Sequence, residues 1–176
     1  LARLKRIPES LQCLDKAIEA RPDRADNWRI KGQVLAATGR SEAALHCFRT
    51  AVRLDPEDFD AWKDLGRLCG ILGKFDEALR CGDRIIQIVP HRADGFKMKG
   101  LALERLGQPR EAARCYENAL KSQLDDPIAW YSVGAMLCQC GEAERALEFL
   151  DQCLKLKPDY QMALANRGGV LITLGR

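Results

Sequence analysis

Eight cysteines in 176 residues are the first side chains here that could do chemistry, as a metal cage or a disulfide set. Zinc takes thiolates in tetrahedral groups, often from close Cys pairs, and a disulfide needs Cα atoms within about 4.4–6.8 Å. The spacing serves neither purpose. Cys13, Cys47, Cys81 and Cys115 stand 34 residues apart, and equivalent helices in a stack have axes about 8–10 Å apart. Cys138 and Cys140 sit on opposite sides of any helix, about 200° apart. We therefore expect no disulfide and no metal, only small packing thiols in a reducing cytoplasm. His46 and His91 lack a Ser, Cys or carboxylate constellation, and no phosphate loop or paired-carboxylate site is present. The expectation is a chain without catalytic residues or cofactors, although it could be a regulatory segment of a larger enzyme.

The period of the cysteines runs through the whole chain. Gly32, Gly66, Gly100, Gly134 and Gly168 form one ladder at 34 residues, and Gly39, Gly73, Gly107, Gly141 and Gly175 form another. Such a period means a stack of similar small units rather than one globular core. Trp28, Trp62, Phe96, Trp130 and Leu164 share a slot, as do Pro22, Pro56, Pro90, Leu124 and Pro158. Within a unit, Trp28, Gly32 and Leu35 make a helical stripe, Gly39-Arg40 breaks it, and Ala44, Phe48 and Ala51 make a second. Proline then stops the second helix. Alternation at period two is absent, so no strand is expected. Glycine inside a helix costs about 1 kcal/mol against alanine; the first ladder therefore predicts close helix approach, with Ala44, Ala78, Ala112 and Ala146 facing it.

Trp28-x-x-Lys31-Gly32-x-x-Leu35, followed by Gly39, Ala44, Phe48, Ala51 and Pro56, resembles the tetratricopeptide repeat. Trp62, Gly66, Gly73, Ala78 and Pro90 repeat the pattern, as do Trp130, Gly134, Leu137, Gly141, Ala146, Leu150 and Pro158. The resemblance implies an all-α fold: a right-handed superhelical α-solenoid of antiparallel helix pairs, with a concave groove that takes proteins or peptides. Residues 1–176 would form one such solenoid. Full repeats are expected at 25–58, 59–92, 93–126 and 127–160, flanked by a second helix within 1–24 and a first helix within 161–176. Two departures carry their own expectations. Gly82 takes a slot that is usually large, predicting a thinner core. Leu124 with Asp125-Asp126-Pro127 predicts a reshaped connection, a longer second helix, and Asp126 capping the next one.

By that resemblance, the concave wall is the face of each first helix turned away from the Trp-Gly-Leu stripe. It carries Arg29 and Gln33, then Lys63 and Arg67, then Lys97, Leu101 and Arg105, then Tyr131 and Ala135, then Met162. Arg29, Lys63 and Lys97 form a basic column with Asp26, Asp60 and Asp94 alongside, and the later helices turn apolar with Ile128 and Ile172. The partner expected is a protein or peptide segment with an acidic part and an apolar anchor. The alternative for the column is ion pairing between helices, worth about 0–1 kcal/mol per pair. Some relatives grip a C-terminal carboxylate with lysines and asparagines; Gln33 and Arg67 replace the asparagines here, which disfavours that ligand.

Composition narrows the class further. With 28 basic and 25 acidic side chains the net charge is +3, too balanced for a protein that coats nucleic acid. No apolar run reaches 18 residues, so no membrane insertion is expected. Both ends cut a repeat in half, which reads as a segment of a longer protein. Uncovered apolar faces there make self-association the rival to partner binding.

Overall fold

The computed structural model describes residues 6–175; residues 1–5 of the leading fragment, and Arg176, lie outside them. Among the described residues there are ten α-helices and no strand. The described residues divide into two compact units, one ending at Lys74 and the other beginning at Phe75. The first holds α1 (Ile7–Ala20), α2 (Ala25–Ala37), α3 (Ser41–Leu54) and α4 (Phe59–Ile71). The second holds α5 (Phe75–Ile88), α6 (Ala93–Arg105), α7 (Pro109–Leu120), α8 (Pro127–Gln139), α9 (Ala143–Leu156) and α10 (Gln161–Thr173).

The two glycine ladders have different physical causes. Gly39, Gly73, Gly107, Gly141 and Gly175 all hold φ between 67° and 78°, the left-handed region where only glycine pays no steric cost. Each of the first four turns the chain so that the next amide bonds back to the helix. Arg40 N–H donates to Leu35 O at 3.0 Å, and Lys74, Gln108 and Glu142 donate to Cys69, Leu103 and Leu137 in the same way. This is the Schellman end, which satisfies carbonyls that the helix leaves open.

The inner ladder is about space. A Cβ at Gly32 would stand 2.7 Å from Phe48 Cε1, at Gly100 3.0 Å from Tyr116, and at Gly134 2.8 Å from Leu150. Beside the expected alanine, whose carbonyl at Ala146 lies 3.4 Å from a Cβ at Gly134, a second residue fills the space. The large residue four positions beyond each alanine presses on the glycine, because a long side chain leans back one helical turn toward its own N-terminus. The alanines themselves are buried, Ala44, Ala112 and Ala146 completely. Gly82 removes that large residue, and backbone takes up the room on the α6 side. A Cβ there would meet Lys99 N at 3.0 Å, and one at Gly95 would meet Gly82 O at 3.0 Å.

The tryptophan slot closes the turns. Trp28, Trp62 and Trp130 donate their indole N–H to the carbonyls of Pro22, Pro56 and Leu124 at 3.0, 2.9 and 2.7 Å. Leu124 replaces proline without disturbing that bond, since the acceptor is main-chain. The connection around it is reshaped, but α7 is shorter than its counterparts, 12 residues against 14 in α3, α5 and α9. The expected lengthening is thus overturned. Ser122 bonds Ala119 O through both its amide and its hydroxyl, and these tight local bonds end the helix at Leu120.

Candidate functional site

In the first unit the wall begins at α2 and α4. The Arg29 side chain is largely buried, with Nη2 3.3 Å from Asp26 Oδ1 and Nε 3.4 Å from Asp58 Oδ2. That second contact is close enough for an ion pair but not aligned as a hydrogen bond, so Nε remains unsatisfied. Asp58 is fixed independently: it caps α4 by accepting from Ala61 N–H at 3.0 Å. Gln33 donates to Asp64 Oδ2 at 2.6 Å, and Arg67, well exposed, reaches the other oxygen at 3.5 Å. Lys63 rests over the Phe59 ring, 5.5 Å from its centroid.

The second unit repeats the device with other chemistry. Lys97 Nζ lies 3.1 Å from Asp126 Oδ2 and 3.1 Å from Gln123 Oε1. Asp126 caps α8, as its position before Pro127 predicts, by accepting from Ile128 and Ala129 N–H. One helix on, Tyr131 meets Tyr160 edge to face with centroids 5.1 Å apart, and Tyr160 stands at the start of α10. Arg29, Lys97 and Tyr131 therefore each touch the residue 29 positions later, at the N-cap of the next first-type helix. The sequence places Asp26, Asp60 and Asp94 alongside the basic column and does not by itself show this tie. The available signal was the capping aspartate itself, one connection farther along.

Around these ties the second unit's wall is apolar and open. Leu101 is 46% exposed, Met162 55%, Ile128 62% and Ile172 81%. Ala135 and Cys138 are half-buried beside them, and Arg105 is exposed. Beneath, the Tyr116 hydroxyl donates to Glu104 Oε2 at 3.1 Å. Burial first, and the Glu104 carboxylate next, push the Tyr116 phenol well above its usual range. Burial, with Tyr160 alongside, also raises Tyr131. Both phenols stay neutral donors near pH 7, and such groups orient ligands rather than activate them.

The residues that might have done chemistry are placed otherwise. All eight cysteines are free thiols; Cys47, Cys69, Cys81, Cys115 and Cys153 are buried, Cys138 and Cys140 half-buried, and Cys13 exposed. Burial pushes the Cys47, Cys115, Cys138 and Cys153 thiols upward, away from reactive thiolate. Among the described residues no group of three or more His, Cys, Asp or Glu side chains is placed to hold a metal ion. His46 is exposed, edge-on to Trp28 at 6.0 Å. No helix among the described residues is long and apolar enough to cross a membrane.

Comparison with known proteins agrees with this architecture. The chain is similar to the crystal structure of YrrB, described as a TPR protein with an unusual peptide-binding site. The TM-score is 0.80 at 23% identity, covering 92% of this chain and 84% of that one. It is similar also to MamA from Desulfovibrio magneticus RS-1, at TM-score 0.79 and 18% identity, covering 90% of each. At these identities the likeness is one of fold. Protein FlbA of Caulobacter vibrioides is 35% identical over 48 residues, a stretch that covers 27% of this chain and only 8% of FlbA. The Tetratricopeptide repeat family model matches residues 1–45, 31–93 and 97–161. An all-α chain of helix pairs, closed by left-handed glycines and pressed together at inner ones, thus belongs to the tetratricopeptide repeat family, whose members are in general protein-interaction scaffolds.

Proposed function

We propose that this chain is a non-catalytic scaffold that holds a peptide segment of a partner protein on the exposed faces of its first-type helices. The observation that carries this reading is the apolar wall of the second unit. Leu101, Ile128 and Met162 stand about half exposed, from 46% to 62%, on helices whose opposite faces are buried. Clustered exposed apolar residues over a small-residue floor are the ordinary anatomy of a binding hot spot. Tyr131 and Ala135 supply the floor of that anchor, and Arg105 supplies a charge at its margin.

The basic column has a narrower part in this reading. Arg29 and Lys97 are paired with capping aspartates, so an acidic ligand must compete for them. Gln33 is likewise engaged by Asp64. Among the wall cations of the first unit Arg67, with 62% of its side chain exposed, is the better candidate for recognising a carboxylate. A cytoplasmic setting suits a chain that keeps so many free thiols.

Selection of random peptides on the purified chain tests this directly. Enriched sequences should contain apolar anchors, and Ile128→Asp should weaken them at least about tenfold, as loss of a hot spot does. Peptides that bind the variant equally well would overturn the assignment of the wall. A second reading has its own observation: on α10, Leu164 is 48% exposed and a Cβ added at Gly168 would meet nothing within 4 Å beyond its own helix. Another copy of the chain would cover that stripe. Light scattering that shows a monomer across a wide concentration range would remove this second reading.

A further inference from the structure

We propose that the second unit carries a phosphate-monoester site between α7 and α9, distinct from the apolar wall on α6, α8 and α10. A cavity of about 290 Å³ opens there, and its charged lining is Arg110, Arg114 and Glu117 from α7 with Glu142 and Arg145 at the start of α9. Arg145 is held in place. Its Nη2 lies 2.8 Å from Glu117 Oε1, and its Nη1 pairs with Glu142. The two carboxylates are thereby occupied by one guanidinium. Arg110 and Arg114 are one turn apart on the same face of α7, and neither makes an ion pair within the described residues. Three cations against two anions leave the cavity positive.

The sequence around the repeat frame makes this arrangement unusual. The slot of Arg110 holds Pro8, Glu42, Asp76 and Glu144 in the other units, and that of Arg145 holds Glu9, Ala43, Glu77 and Glu111. Arg110 is the second residue of α7, where the positive end of the helix disfavours a cation and favours a carboxylate. A bound anion reverses that penalty. A single carboxylate occupies one guanidinium fork, whereas a phosphate monoester, with three terminal oxygens and nearly two charges, can bridge both free arginines. The volume exceeds that of a bare phosphate and leaves room for the group that carries it.

The test is an NMR titration of the intact chain with O-phosphoserine, inorganic phosphate, serine and acetate, following the arginine Nε–H signals. O-Phosphoserine should shift Arg110, Arg114 and Arg145 saturably, while serine leaves them unmoved. Arg110→Glu restores the residue type of the equivalent slots, so the fold should tolerate it, and binding should fall at least about tenfold. Ile128→Asp, on the wall, should leave phosphate binding unchanged. Tighter binding of O-phosphoserine than of inorganic phosphate supports an esterified ligand, and equal binding supports recognition of the terminal group alone. Shifts that never saturate, equal binding by Arg110→Glu, or acetate binding as tightly as O-phosphoserine would each overturn the site.

Discussion

A single slot, the inner glycine, shows how far a residue's meaning depends on what stands opposite. At Gly32 an added methyl would collide with Phe48, so Gly32→Ala should destabilise by about 1–3 kcal/mol through overpacking. At Gly168, the same slot, an added methyl would meet nothing within 4 Å beyond its own helix, and alanine should instead stabilise by up to about 1 kcal/mol through helix propensity. Urea unfolding of the two variants checks the opposite signs; a shift in the same direction for both would contradict the packing account. Buried protons give a second residue-level prediction. The Cys47, Cys115 and Cys153 thiols and the Tyr116 phenol are all pushed upward by burial. Their contribution is fully present below the ordinary thiol pKa of about 8.5. It is lost as pH rises from there, because the unfolded chain releases protons that the folded chain still holds. The urea midpoint should be lower at pH 10 than at pH 7, and Cys115→Ala should reduce the difference.

At the scale of the helix, ends matter more than middles. The indole bonds of Trp28, Trp62 and Trp130 tie each first helix to the turn before it. Trp62→Phe keeps the ring but removes the donor, and should cost about 0.5–1.5 kcal/mol in thermal or urea unfolding. Phe96 occupies the slot naturally, so the fold should survive. Asp126→Ala removes both the α8 cap and the partner of Lys97, and should cost about 0.5–2 kcal/mol. Lys97→Met, which spares the cap, should cost less; an equal loss would show that the ion pair dominates. Helix identity was legible because glycine, proline and the apolar stripes mark it locally. The end of α7 was not, since Ser122 competes for Ala119 O through bonds that no periodicity announces. The tie from Arg29 to Asp58 was not legible either. Helical angles locate a side chain on its own helix without saying which capping residue of the next connection it meets.

Across the chain as a whole, the period of 34 conceals a longer one. Lys31 pairs with Asp15, Lys99 with Asp83 and Arg167 with Asp151, each pair 68 residues from the next. The intervening slots hold Leu65 and Val133 in place of the cations. Alternate junctions are thus ionic and apolar, which a search for identical units would average away. In a repeat array stability is approximately a sum of local terms. Gly32→Ala presses on Phe48 and Gly134→Ala on Leu150, with no shared partner. Their costs should add to within about 0.5 kcal/mol in a double variant. A coupling well above that would show strain passing between sites that have no contact in common.

The link from Arg29 to Asp58, from Lys97 to Asp126 and from Tyr131 to Tyr160 bears on how such a surface can change over time. A wall residue that also clasps the start of the following helix answers to two selective pressures at once. On the proposed function, substituting it alone would alter recognition and leave a capping residue without its companion. Specificity should therefore drift in coordinated pairs 29 positions apart, as the exchange of a cation and carboxylate for two tyrosines already illustrates within this one chain. A designer seeking a new ligand should redraw both members together and spend single substitutions on Leu101, Ile128 and Met162, which are far less bound by such obligations.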